Sequence, residues 1–311
     1  MLGRLSDLDL RLVRVFLAVV EAGGVSAAQI ALNVGASTIS TQLSTLETRL
    51  GFRLCERGRG GFQLTPKGAV FAEMAYGLMS AISDFHQGAR SLDKQLVGNL
   101  RIGMIGHMPA EQNSRISAAI ARFRQRDEAV RMTLLVRSPG ELEERLLNGQ
   151  LDLAIAYFWH RAPSLHFTPL FTERQEAYCS REHPVFSRAG SLEAEDVNRC
   201  DWAWRSYPLP DTGLAGLPSH VGATADNMEA LAVLIFSGHH LGFLPRHFAA
   251  PYVAQGLLAP LNPATLCYDT HFFAVTRPRR QISAVTRAFL DDLLAIPVEG
   301  IDAGSGDGKK A

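Results

Sequence analysis

The 311-residue sequence has no Cys-x-x-Cys pair. Its four cysteines, Cys55, Cys179, Cys200 and Cys267, are scattered, which points to a reduced, cytoplasmic chain. Neither charge sign is in excess. The 31 Lys and Arg match 31 Asp and Glu, which excludes a histone-like or arginine-rich tail mechanism while leaving room for a local basic patch. No run approaches the roughly 20 apolar residues of a membrane span. The N-terminus mixes leucines with charges of both signs, so no secretory signal is expected. Catalytic signatures are missing as well: there is no GxSxG, no P-loop and no GxGxxG. The ten histidines include no HExxH, and His239, His240 and His247 lack a matching acid or thiol. Nothing in the spacing of Cys179 and Cys200 demands a redox pair. Neither an enzyme nor a bound metal or cofactor is expected.

What is present is 47% apolar residue content in 33.9 kDa, enough for about two domains with real cores. The first 65 residues read as a unit. Leu10, Val13, Phe16, Leu17 and Val20 keep a 3.6-residue period behind a cap at Asp7 or Asp9, and Gly23-Gly24 ends that helix. Ser26 with Gln29 has capping-box spacing for a second, short helix. Asn33-Val34-Gly35 is a tight turn. A third helix from about Ala36 to Leu50 has the stripe Ile39, Leu43, Leu46, Leu50. A strand over Phe52 to Cys55, a glycine-rich tip at 58–61 and a strand over Phe62 to Leu64 complete a winged helix-turn-helix pattern.

A major groove admits one helix, whose first residues reach base edges. Here those are Ala36, Ser37, Thr38, Ser40, Thr41 and Gln42. Between Arg49 and Lys67 five basic side chains, including Arg53, Arg57 and Arg59, face one acid, Glu56, for a net +4 inside a neutral chain. Arginines on a glycine-tipped hairpin suit phosphate or minor-groove contact.

Thr65-Pro66 starts another helix. Phe71, Ala75, Leu78, Ile82, Phe85, Ala89, Leu92 and Leu96 then follow strict 4-3 spacing, a heptad seam that predicts pairing with a second chain along about 45 Å. A helix lying on the surface of one domain is the plainer alternative. From Asn99, strand, helix, strand, helix and strand alternate to Tyr157, a βαβαβ pattern that requires a parallel sheet with right-handed crossovers. Helices are expected around Asn227 to Phe236 and Gln281 to Ala295. The last residues, 299–311, are read as disordered.

The stretch from Phe16 to Glu21, then Ser26-Ala27-Ala28, Leu32, Ser40, Gln42-Leu43, Leu46-Glu47, Leu50-Gly51, Leu54, Arg57 and Leu64-Thr65-Pro66-Lys67-Gly68 resembles the LysR-type transcriptional regulators. Arg101-Ile102-Gly103, the run from Gly149 to Ile155, and Gly242-Phe243-Leu244-Pro245 resemble the same family at its distances. The resemblance spans about residues 7–296. It implies a winged helix-turn-helix (1–65), a linker or dimerisation helix (66–98) and an α/β periplasmic-binding-protein-like effector domain (99–298). That domain would have one subdomain at 99–162 with 270–298 and a second at 163–269. It also implies an operator DNA partner, a small-molecule effector in the inter-subdomain cleft, a homodimer or homotetramer, and RNA polymerase as a further candidate partner. Cleft candidates are Gly106, His107, Met108, Ser138, Thr224 and Asn227, with His107 and Ser138 suited to a carboxylate. Phe158 and Trp159 are either cleft wall or hinge packing. Two rival readings are an architectural DNA protein with a non-responsive effector lobe and a solute-binding protein.

Overall fold

The computed structural model describes residues 7–58, 61–90, 96–126, 129–209, 213–214, 218, 220–278 and 282–297. The chain divides into two compact units at His86/Gln87. In the first, α1 (Asp7–Glu21), α2 (Val25–Leu32) and α3 (Ala36–Leu50) enclose a core of Phe16, Val19, Ile39, Leu43, Leu46 and Leu54. The 3.6-residue stripes of α1 and α3 meet there. Gly51 ends α3 in the left-handed region at φ 78° and returns its N–H to the Glu47 carbonyl, a conformation glycine adopts without strain.

Two local expectations are corrected. The Ser26–Gln29 capping box does not form: α2 starts one residue earlier behind Gly24, without a side-chain cap. Gln29 instead accepts from the Ala36 backbone N–H at 3.1 Å and so caps α3. The first wing strand is also displaced. It is β1 (Cys55–Gly58), paired antiparallel with β2 (Gly61–Leu64). The Glu47 carboxylate accepts from the N–H groups of Leu54 and Cys55 at 2.8 and 3.3 Å, and Leu54 O accepts from Thr65 N at 3.0 Å, so the chain before Cys55 bonds outside the hairpin ladder.

Helix α4 (Pro66–Arg90) begins as expected: the Thr65 hydroxyl accepts from Gly68 N at 2.9 Å, and Pro66 occupies the first turn. A Cβ at Gly68 would stand 1.8 Å from the Leu54 carbonyl oxygen, so only glycine fits this crossing. The helix is described to Arg90, residues 91–95 lie outside the described residues, and Leu96, the expected seam's end, is not helical. Phe71, Ala72, Ala75, Tyr76 and Met79 pack into the winged-helix core, so the first turns of α4 belong to that unit and are not a separate linker.

The second unit carries a mixed sheet whose strands lie in the order β10 (Leu258–Pro260), β6 (His166–Ser180), β11 (Cys267–Thr276), β5 (Leu153–Ala156), β3 (Gly98–Met104) and β4 (Val130–Val136), with β9 (Gly242–Pro245) also on β6. Strands β3 (Gly98–Met104), β4 (Val130–Val136) and β5 (Leu153–Ala156) are parallel, joined through α5 (Ala110–Arg126) and α6 (Pro139–Leu147) as the βαβαβ pattern requires. All four residues of β5 are buried because both faces are covered. Leu153 and Ile155 join a core with α5 and α10 (Ala284–Ala295), while Ala154 and Ala156 join one with α6. Arg101 donates to Asp152 through its backbone N–H and guanidinium at 2.8 to 3.1 Å, which ties β3 to the loop before β5.

Two long strands, β6 (His166–Ser180) and β11 (Cys267–Thr276), run antiparallel from this lobe into a second. Phe171 and Phe272 stack in the first lobe at 4.4 Å. Ala177 and Tyr268 pack in the second, around Trp202 and Phe243. There β7 (Trp202–Arg205) pairs in parallel with β8 (Val221–Ala225). The lobe also contains α7 (Ala194–Val197), α8 (Met228–Phe236), β9 (Gly242–Pro245), α9 (Arg246–Ala254) and β10 (Leu258–Pro260). Asn227 caps α8 by accepting from Ala230 N at 2.9 Å. The C-terminal residues expected to be disordered, 299–311, lie outside the described residues.

Candidate DNA-reading helix and effector cleft

On α3, Ile39, Leu43 and Leu46 are buried, while Ser37, Thr38 and Thr41 are exposed. The chemistry of that exposed face is narrower than a row of hydroxyls suggests. Thr41 donates to Ser37 O at 2.9 Å, Thr45 to Thr41 O and Thr48 to Ser44 O, both at 2.8 Å. Each hydroxyl proton is spent on the preceding turn, which leaves methyl groups and acceptor lone pairs outward. Gln42 is half-buried and its amide oxygen is buried without a hydrogen-bond partner, so that oxygen is turned away from the exposed face. Arg49, part of the basic stretch, pairs with the buried Asp9 on α1. Arg53 is exposed. Arg59 and the side chain of Arg57 lie outside the described residues.

The expected seam on α4 divides among different surroundings. Phe71 packs on Phe16 at 5.6 Å, and Ala75 is buried in the same core. Leu96 lies beyond the helix and packs against the effector-domain core. These three are therefore corrected: their apolar surface is used inside one chain. Leu78 and Ile82 are half-buried, and Phe85 is 73% exposed. Leu92 and the side chain of Ala89 lie outside the described residues. Met74, outside the 4-3 series, is 69% exposed, and Val70 is exposed too.

Between the two lobes of the second unit lies a cavity of about 580 Å3. Gly106, His107, Ser138 and Asn227 line it as expected. His107 sits in the left-handed region at φ 57°, its Nε2 pairs with Glu229 on α8, and its carbonyl accepts from His247 Nε2 at 2.8 Å, so it joins the lobes. The Ser138 hydroxyl is already engaged, donating to Glu141 at 2.9 Å. Met108 and Thr224 are corrected. Met108 is buried in the first lobe's core, and Thr224 is exposed on β8, opposite Trp204 and away from the cavity. Phe158 packs edge-on against Phe167 at 5.6 Å, which makes it hinge packing.

The floor of the cavity holds residues that the sequence reading missed. Glu173 and Gln175 are alternate residues of β6. Their cross-strand neighbours on β11 are Thr270 and Tyr268, so all four share one face. Arg205, at the end of β7, is 7% exposed. It donates to Gln175 Oε1 and the Tyr268 hydroxyl, both at 2.9 Å. Burial pulls Arg205 down, but Tyr268, Tyr207 and Tyr157 together hold it above its ordinary value, so it is charged. Gln175 Nε2 donates to Glu173 at 2.5 Å, and His247 Nδ1 lies 3.7 Å from the same carboxylate. Burial pushes Glu173 up to about 7, opposed by Arg205 and the Gln175 bond. Arg205 Nε and the Thr270 hydroxyl are buried without hydrogen-bond partners. The available signal was the run Glu173-Arg174-Gln175-Glu176, two acids, an arginine and an amide placed directly before the apolar Ala177-Tyr178-Cys179. Cys179 and Cys200 are both free, and burial pushes both thiols up, Cys179 to about 11, which makes them poor nucleophiles.

A winged helix and, in the same chain, a two-lobed α/β domain with a polar-floored cleft define a DNA-binding regulator with an effector domain. The family model for the LysR substrate binding domain matches residues 93–295, and that for the lysR-family bacterial regulatory helix-turn-helix protein matches residues 10–69. The chain belongs to the LysR-type transcriptional regulators. It is 36% identical to the HTH-type transcriptional activator BauR of Pseudomonas aeruginosa, over 93% of this chain and 96% of that one. It is 29% identical to the SDS degradation transcriptional activation protein of a Pseudomonas species, over 90% and 94%. A full-length OxyR variant from Pseudomonas aeruginosa shares the fold at TM-score 0.60 and 20% identity, covering 95% of this chain and 97% of its own. Full-length CbnR in complex with its target DNA does so at 0.60 and 19%, covering 92% and 98%. Among the described residues no single helix is long and apolar enough to cross a membrane.

Proposed function

We propose that this regulator reads an operator with the exposed face of α3, centred on Ser37, Thr38 and Thr41 with Ala36 and Ser40 flanking, and grips neighbouring phosphates with Arg53, Arg57 and Arg59. A small molecule in the cleft controls it. Chains associate as a homodimer or homotetramer through the apolar stripe of α4 that its own core leaves uncovered. It works in the cytoplasm, with RNA polymerase as its downstream partner, and the activator names of its relatives favour activation.

The observation that carries this reading is the cavity. A volume of about 580 Å3 falls within the range of small-molecule sites, and its walls come from both lobes. A ligand that touches both lobes binds one lobe arrangement better than another, and only such a difference shifts an equilibrium. The test is to sequence the genomic fragments bound by the purified protein and then drive a reporter from the recovered operator. A cleft-filling Ser206→Trp should keep operator binding and lose the reporter's response to cell metabolites. A reporter that never responds in the wild type would favour an architectural protein with a non-responsive lobe.

A further inference from the structure

The floor of the cleft places a buried carboxyl group and a buried guanidinium one amide apart. Glu173 is 6% exposed and bonded to Gln175, which accepts from Arg205. At the Glu173 end, the Thr270 hydroxyl is buried without a partner, and Thr270 is the register partner of Glu173 across the ladder. At the Arg205 end, Nε is buried without a partner. Unmet buried polar atoms cost stability unless something else meets them, and the two residues that carry them, Thr270 and Arg205, line the cavity. The other charges lining the cleft have partners within the protein: Glu141 bonds Ser138, Arg137 donates to Val136 O at 2.7 Å and lies 3.9 Å from Glu141, Glu229 pairs with His107, and Asp226 accepts from Asn227.

Resting on the cleft as effector site, we propose that the effector is a short zwitterion, an amino acid whose ammonium docks at Glu173 and Thr270 and whose carboxylate docks at Arg205. A monoacid would leave the Thr270 hydroxyl unmet and the buried Glu173 without a counter-charge, and a monoamine would leave Arg205 Nε unmet. A zwitterion satisfies both ends and adds no net charge to the cleft.

The test is a thermal-shift titration of the full chain with glycine, β-alanine and γ-aminobutyrate, against propionate and propylamine as single-charge controls. At least one zwitterion should raise the melting temperature, and neither control should do so at equal concentration. Glu173→Gln and Thr270→Val, each checked for a cooperative ligand-free melt, should weaken that zwitterion at least tenfold. No shift with any zwitterion, an equal shift with a control, or undiminished binding by both variants would overturn the proposal. If an uncharged or aromatic compound shifts the melt instead, and Ser206→Trp abolishes that shift, the zwitterion is overturned and the cleft reading stands. If Ser206→Trp leaves every ligand shift intact, both fall.

Discussion

Glu173 lies among Gln175 on its own strand, Arg205 from β7, Tyr268 from β11 and His247 from α9, and burial pushes its carboxyl up to about 7. A folded-state value raised above the ordinary carboxylate range means that Glu173 favours the fold below about pH 4.5. That contribution is lost as pH rises through 7. The shift corresponds to stability on the order of 3 kcal/mol. His247 works in the opposite direction, because burial lowers it and the fold favours its neutral form at higher pH. Comparison of Glu173→Gln with wild type separates the two. The substitution should raise the melting temperature at pH 8 and change it little at pH 5. An equal offset at both pH values would show that Glu173 is ionised in the fold throughout.

On the reading helix, Thr41 donates its proton to Ser37 O, so Thr41→Val preserves the outward methyl and removes only an acceptor. Operator affinity should fall by less than about tenfold for Thr41→Val. For Thr38→Ala, loss of one good contact costs about 1–3 kcal/mol for the operator and little for scrambled DNA, since base contacts specify while phosphate contacts position. Footprinting titrations on both sequences decide it. Equal losses on the two would reassign Thr38 to the phosphate backbone.

Among the elements, α4 shows what periodicity carries and what it does not. The spacing of Phe71, Ala75, Leu78, Ile82 and Phe85 announces a helix with one apolar face, and the helix is there. The spacing cannot say what covers that face. Phe71 and Ala75 are covered by α1 and the wing's base, and Leu96 continues the count only arithmetically, since it lies beyond Arg90 in another core. Among the described residues, the large apolar side chains that α4 leaves exposed for a second chain are Val70, Met74 and Phe85, with Leu78 and Ile82 half-buried. Phe85→Asp should therefore weaken self-association in sedimentation without lowering the melting temperature of the winged helix, because Phe85 makes no part of that core. An unchanged oligomer would place the interface elsewhere.

Elements with local causes were legible throughout: the stripes of α1 and α3, the Thr65-Pro66 start and the βαβαβ alternation. The wing strand slipped because a Glu47 side chain, seven residues back, takes the N–H of Leu54. The cleft floor escaped for a similar reason. Glu173, Arg205 and Tyr268 are far apart in sequence and meet only through an antiparallel pairing and a crossover that no spacing encodes.

For the whole molecule, the two lobes share β6 and β11, and the cleft opens where those strands pass from one core to the other. A ligand bridging the lobes changes which arrangement is favoured, but that has regulatory meaning only if the arrangement also changes the free energy of operator binding. Linkage turns this into a measurement that needs no knowledge of the route. If a ligand alters operator affinity by some factor, operator DNA must alter ligand affinity by the same factor, typically 5- to 150-fold. Calorimetric titration of the bound zwitterion into the protein, alone and saturated with operator, should give two affinities whose ratio equals the ratio of operator affinities with and without that ligand. Ligand affinity that is the same with and without operator would mean that the cleft and the reading helix are thermodynamically independent. Any control of transcription would then have to act on a later step than DNA binding.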